Sequence, residues 1–227
     1  MYLPICHSTN DYIKENIDNI NMKNGTIAIA REQTNGRGQR GNKWVSNPGE
    51  NLTFSILIDN AFEHSFVLTQ LISVSVCEVL LSYSINNIAV KWPNDILVGH
   101  KKLCGILIEK YKNKYIAGIG INVNQQNFGY LNATSMYNEC EHNFDIYKVL
   151  NEVCINIENN LPDVQNLNIL RTKYLNLLFG YQKQRTYMYD GKTCTGIIEK
   201  IYDDGKIGMD IDGNKLILGN REIKYVL

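Results

Sequence analysis

The run NIAVKWPNDILVGHKKLCGILIEKYKNKYIAGIGINVN, Asn87 to Asn124, decides the architecture. Its short apolar stretches are broken by turn residues and predict three or four strands joined by tight turns. Pro93 has no N–H for a sheet ladder and keeps Trp92 extended, so the strand ends there and leaves Asn94 and Asp95 at its exit. A turn at Gly99-His100 pairs Val98 with Lys101 and Leu97 with Lys102. Asp95 and Lys102 then share one face as diagonal neighbours, about 7 to 8 Å apart, and a slip of one residue would separate them. Further on, Gly118, Gly120 and Asn122 fall on one face of a strand, open to close approach.

Upstream, NLTFSILID (51–59) reads as a strand, and His64 to Tyr83 as a helix apolar on nearly every side and therefore buried. TIAIA (26–30) alternates isoleucine with small residues, as a strand with one packed and one roomy face would. Asn10 to Met22 places Tyr12, Ile13, Ile17 and Ile20 at helical spacing, with Ser8, Thr9 or Asn10 as its cap. Downstream, amphipathic helices are expected over 144–159 and 168–179. From Arg185 the chain turns to short β-rich runs separated by Asp190-Gly191, Asp204-Gly205 and Asp212-Gly213, which predict hairpins and a small β-barrel. The expected class is α+β, with one domain over 1–182 and a second over 183–227.

The chain has 227 residues, 44% of them apolar, enough for a real core. Lys plus Arg and Asp plus Glu both total 23, so no global field draws in nucleic acid or membrane, and any basic site must be local. Six scattered cysteines form no zinc or dithiol pattern and read as reduced, mostly core thiols. The N-terminal MYLPICHSTN lacks a basic segment followed by a long apolar run, and no stretch approaches a membrane span, so no leader is expected and the cytoplasm is the expected location.

One basic cluster stands out: TNGRGQRGNKW, Thr34 to Trp44. Gly36, Gly38 and Gly41 allow backbone N–H groups to form a concave anion site, to which Arg37, Arg40 and Lys43 add charge. The spacing matches neither a Walker loop nor a dinucleotide fingerprint. A phosphate cradle, an RNA-touching segment and a solvated turn all remain open on these residues alone. Trp44 could stack on a base or anchor the core.

Taken in series, STN (8–10), QTNGRGQRGNKW (33–44), KWPND (91–95), KKLCGILIE (101–109) and GIGINVN (118–124) resemble a biotin protein ligase, of the short form without an N-terminal DNA-binding domain. The resemblance implies a catalytic fold like that of class II aminoacyl-tRNA synthetases, a mixed or antiparallel sheet packed with helices, followed by an SH3-like barrel. It implies that biotin and MgATP give biotinyl-5′-AMP, from which a lysine of a biotin carboxyl carrier protein takes the biotinyl group. Ser8, Thr9, Asn10, Gln33, Arg37, Gly38, Gln39, Lys102 and Gly105 look like the biotin contacts. Gly36, Arg40, Asn42, Trp44, Lys91, Asn94 and Asn122 look like the ATP and adenylate contacts, with Trp44 as the adenine platform. Lys102, Asp95 and Arg37 look catalytic, Lys102 at the α-phosphate and Asp95 beside the incoming amine. Mg²⁺ would arrive on the ATP phosphates, without a side-chain cage.

Because the motifs begin at residue 8, no repressor activity and no DNA partner are expected. A homodimer is compatible with the resemblance. Gln39 and Asn42 depart from the arginines common in GRGRRGRxW, and His7 stands where an acid is expected. The alternatives are a lipoate or octanoate ligase on the same catalytic fold, and a nucleic-acid module using residues 36–43.

Overall fold

The structure, a computed structural model, describes residues 1–19, 21–59 and 62–226. In chain order the first part comprises β1 (Tyr2–Cys6), α1 (Thr9–Asn16), β2 (Ile27–Gln33), β3 (Leu52–Asp59), α2 (Ser65–Ser82), β4 (Ile88–Lys91), β5 (Asp95–Val98), β6 (Lys101–Tyr111) and β7 (Lys114–Ile121). Its strands form one sheet in the order β1-β2-β3-β7-β6-β5-β4, with β1 and β2 parallel and the other neighbours antiparallel. The mixed sheet packed by helices is the expected α+β class.

Alternation along β3 assigns the two faces. Leu52, Phe54 and Ile56 enter the main core with α2, while Leu57 joins Ile13, Ile17, Met22, Ala28 and Ile116 in a smaller cluster beneath α1. That cluster corrects the roomy face expected on TIAIA: Ala28 is fully buried, because α1 lies across the small residues. The helix also ends at Asn16, short of Met22. Asn19 accepts the Asn21 backbone N–H with its own side chain, the local competition by which asparagine ends helices. Ile20, counted in the expected apolar stripe, lies outside the described residues.

The buried helix expected over 64–83 is α2. By length and composition it could cross a bilayer, against the expectation that no stretch approaches a span. It is instead buried in the core, between the sheet, α4 (Ile146–Asn160) and α5 (Leu167–Leu177). A short α3 (Met136–Cys140), capped by Ser135, was not visible as a periodic pattern.

The last strands, β8 (Gln184–Tyr189), β9 (Lys192–Ile201), β10 (Ile207–Ile211), β11 (Asn214–Leu218) and β12 (Ile223–Tyr225), form an antiparallel sheet in the order β11-β10-β9-β8-β12. Asp190-Gly191 and Asp212-Gly213 each take two successive positive φ values, the turn geometry that suits hairpin twist. The expected barrel is an open sheet, with β11 and β12 as its edges. Ile198, Met209 and Ile223 nevertheless belong to the main core, and Trp92 Nε1 donates to the Gly205 carbonyl at 2.9 Å. All six cysteines are unbridged, but only Cys77 and Cys104 are fully buried, so the core-filler reading holds for those two.

Candidate active site

The glycine loop is a folded hairpin. Trp44 N donates to Gly36 O at 2.9 Å and Gly38 N to Asn42 O at 2.7 Å, with Arg40 (φ 61°) and Gly41 (φ 82°) at the tip. This hairpin covers a cavity of about 410 Å³ whose opposite walls are β6, β7, the β4–β5 turn and β12. Fifteen of the seventeen expected site residues line it. Ser8, Thr9, Asn10 and Gln33 line one part; Arg37, Gly38, Gln39, Arg40, Asn42 and Trp44 line the hairpin side. Lys91, Asn94, Asp95, Lys102 and Gly105 line the far wall.

Two expected residues are not there. Asn122 is buried and donates to Thr134 O at 2.9 Å and Lys102 O at 3.3 Å, which steadies the strand end behind the lysine. Gly36 lies at the base of the hairpin, in a neighbouring depression shared with Leu107 and Glu109, and a Cβ there would come 2.5 Å from Trp44 O. Asn94 does line the cavity, yet its amide donates to Ile106 O at 2.7 Å, so that group is committed to the sheet.

Lys102 Nζ lies 2.6 Å from Asp95 Oδ1 and 5.7 Å from the centre of the Trp44 ring system. The pairing of Val98 with Lys101 and Leu97 with Lys102 is as expected, but the register then shifts by one: Ile96 faces Cys104 and Asp95 faces Gly105. The extra residue, Leu103, is a bulge. It corrects the expectation that a slip would separate the pair. Simple alternation would oppose Lys102 and Gly105; with the bulge both face the cavity, and a Cβ on Gly105 would meet Lys102 Nζ at 3.1 Å.

The glycines of β7 make room for side chains. A Cβ on Gly118 would lie 2.4 Å from Asn10 Oδ1, and one on Gly120 would lie 2.4 Å from the Trp44 ring. Neither distance is tolerable, so glycine is required at both positions for Asn10 and Trp44 to sit against the sheet.

Ser8, Thr9 and Asn10 are buried and Ser8 makes no side-chain cap, contrary to the simplest explanation of a polar helix entry. Ser55 Oγ lies 2.6 Å from both Thr9 Oγ1 and Asn10 Oδ1. A hydroxyl has one proton and the amide oxygen can only accept, so Ser55 donates to Asn10 and Thr9 donates to Ser55. Gln33 Oε1 accepts the Thr9 backbone N–H at 2.8 Å. The Thr9 lone pairs, the Gln33 amide nitrogen and the Ser8 hydroxyl are left to face the cavity.

Charge is distributed to match. Arg37 Nη2 meets Asp11 at 2.7 Å and Glu109 at 2.5 Å, and Lys102 meets Asp95. Among the described residues, the lining cations Arg40, Lys43, Lys91 and Lys224 have no carboxylate partner. Desolvation at the hairpin tip, together with Arg221, pulls the Arg40 guanidinium below its ordinary value. Behind Lys102, burial pushes the Cys104 thiol far up and leaves it inert. A polyanion would relieve the unpaired charge, and the neutral chain thus carries the local basic site that its composition required. Among the described residues no three His, Cys, Asp or Glu side chains cluster as a metal cage.

Ser55, Asp11, Glu109, Asn220, Ile223, Lys224 and Tyr225 were missed from the sequence. Ser55 had a signal, since it breaks the apolar run of β3 on the face opposite Phe54. The C-terminal residues had none: Arg40 Nη1 donates to Asn220 O at 2.7 Å and Asn220 Nδ2 to Gln39 Oε1 at 3.1 Å, across about 180 residues.

Residues 2–126 match the biotin/lipoate A/B protein ligase family. The chain is 35% identical over 128 residues to the bifunctional ligase/repressor BirA of Escherichia coli strain K12, covering 53% of this chain and 39% of that protein. It is 24% identical over 212 residues to the biotin–acetyl-CoA-carboxylase ligase of Mycobacterium tuberculosis, 89% of this chain and 79% of that one. The chain spans about two fifths of the length of the BirA relatives it matches. Among solved structures, the biotin protein ligase of Aquifex aeolicus in complex with biotin and ATP superposes with a TM-score of 0.80 at 29% identity, covering 100% of this chain and 94% of that chain.

Proposed function

The chain belongs to the biotin/lipoate A/B protein ligase family, and from that premise we propose that it is an ATP-dependent biotin protein ligase. Biotin's carboxylate attacks the α-phosphate of MgATP, releasing pyrophosphate and forming biotinyl-5′-AMP; a lysine amine of a biotin carboxyl carrier protein then displaces AMP. The observation that carries the reading is the convergence of the glycine hairpin, the buried Ser8-Thr9-Asn10 turn and the Asp95–Lys102 pair on one cavity.

The hydrogen-bond polarity favours biotin over lipoate. Thr9 offers an acceptor, and Gln33 and Ser8 offer donors, which suits a cyclic urea with its N–H and C=O groups. A dithiolane ring has neither, and a site built around such bonds discriminates by up to about 10⁴-fold.

Lys102 is assigned to the carboxylate and α-phosphate, where negative charge accumulates during adenylation. As it turns to that charge it releases Asp95, which then orients and deprotonates the carrier lysine, an amine otherwise protonated below about pH 10.4. Arg37 is assigned to the acyl phosphate and Trp44 to adenine. Arg40, Lys43 and Lys91 are assigned to the remaining phosphates and their Mg²⁺, which the donors present fit only through the nucleotide. Gly38, Gln39 and Asn42 supply backbone and amide contacts from the hairpin. The division at 182/183, a cytoplasmic location and the absence of a DNA partner are parts of the same reading, the last supported by the formal charge of +0.

The test is competition. Incubated with equimolar biotin and lipoate, MgATP and a carrier domain, the protein should leave only biotin on the carrier lysine by intact-mass spectrometry. Lipoyl transfer alone would replace biotin by the runner-up.

A further inference from the structure

A second depression, of about 270 Å³, adjoins the main cavity at Arg40, and the mechanism above gives it no part. Gln39, Arg40, Pro93 and Asn220 line both. Ser65 and Thr69 at the start of α2, and the Gly205-Lys206 turn of the second sheet, line only the smaller one. α2 is 18 residues long, begins without a side-chain cap and carries no acid in its first turn. Val67 N turns back to His64 O at 3.2 Å, whereas the Ser65 and Phe66 N–H groups have no partner among the described residues. Such a helix end carries positive potential. Thr69 is an independent sign of a ligand. It is only 6% exposed and lines the depression, yet its hydroxyl bonds to nothing among the described residues. Ser75 and Thr172 instead turn theirs back to the carbonyl four residues earlier. A buried hydroxyl left so is costly unless a ligand satisfies it. Charge agrees: Arg221 stands near enough to Arg40 to disfavour its charge, and the arginine ion pairs among the described residues belong to Arg37 and Arg171. Asp204 also lines the depression, but Lys206 matches it, with Nζ at 2.9 Å and the backbone N–H at 3.0 Å.

We propose that this depression is a receiving site for inorganic pyrophosphate, the leaving group of adenylation. That source rests on the function proposed above; the anion site itself does not. With the acyl phosphate at Lys102 and Arg37 and the outer phosphates at Arg40, the leaving group departs toward Arg40, where the depression opens. There the first N–H groups of α2 and the hydroxyls of Ser65 and Thr69 donate to its oxygens, and Arg40 balances its charge. Pyrophosphate held there is drawn away from the α-phosphate before it leaves the protein.

Two substitutions in the full chain test this. Thr69→Val keeps the volume and removes the hydroxyl; Ser65→Glu puts a carboxylate in the first turn of α2, where it suits the helix and competes with an anion. Pyrophosphate is titrated calorimetrically with Mg²⁺ present and without biotin or nucleotide. Each variant should bind it about tenfold more weakly than wild type, the loss expected for one bond to a charged group. The melting temperature should not fall in Ser65→Glu, which guards against misfolding of the other variant. In the exchange reaction both variants should raise the KM for pyrophosphate by about tenfold and leave the KM for ATP unchanged. Pyrophosphate binding that survives both substitutions belongs to the cations of the main cavity and overturns the proposal. Inorganic phosphate bound as tightly as pyrophosphate overturns it too, because the site would then hold a single phosphate. The titration needs neither biotin nor exchange, so a wild type that ignores biotin would sink the ligase reading while a Thr69-dependent anion site still stood.

Discussion

Gly118 and Gly120 sit under two different side chains, so a methyl group at each should produce two different lesions. Gly118→Ala drives into Asn10 and should raise the KM for biotin by at least about tenfold with little effect on ATP; Gly120→Ala drives into Trp44 and should do the reverse. Steady-state exchange kinetics in each substrate separate them. Asp95→Asn should slow transfer from preformed biotinyl-AMP to the carrier more than adenylate formation, by about 10² against less than tenfold, in single-turnover assays. Local spacing made a few of these positions legible, and the resemblance supplied most of the others. Asp95 and Lys102 are seven apart across one turn, and alternation alone placed the glycines on a shared face. Asn10 and Glu109 meet across 99 residues, and no local pattern announces that contact.

At the scale of elements, the β6 bulge decides whether a lysine and a glycine three apart can face the same cavity. The sequence specified the turn and the first two pairs, but the bulge follows from core packing of Leu103 and Cys104, which no spacing rule reveals. The helices behind the sheet are tied by Lys173 of α5, which reaches Asp163 at 2.8 Å, Glu78 of α2 at 3.7 Å and Asn160 of α4 at 2.7 Å. Its hydrogen bond to Asp163 and the charge of Glu78 raise the ammonium above its ordinary value. A raised lysine contributes stability fully below its unfolded value near 10.4, and the contribution is lost as pH rises through the folded value. Lys173→Met should therefore lower the melting temperature at pH 8 by a few degrees, and the gap to wild type should narrow only once pH rises past the ordinary lysine range, read by calorimetry.

At the scale of the whole molecule, the two sheets share one core and one cavity. The Asp-Gly turns announced the second sheet, whereas its contribution to the cavity through Asn220, Lys224 and Tyr225 depends on how the sheets dock, which is a long-range property. Trp92→Phe removes the bond to Gly205 while keeping most of the packing, and should cost about 1 kcal/mol in urea unfolding. The account depends above all on adenylation in the shared cavity, and the most direct measurement is exchange of labelled pyrophosphate into ATP. Wild-type protein should show exchange that requires biotin, and Lys102→Ala should lose it by about 10²-fold or more. Exchange supported by lipoate alone, or undiminished in Lys102→Ala, would contradict it.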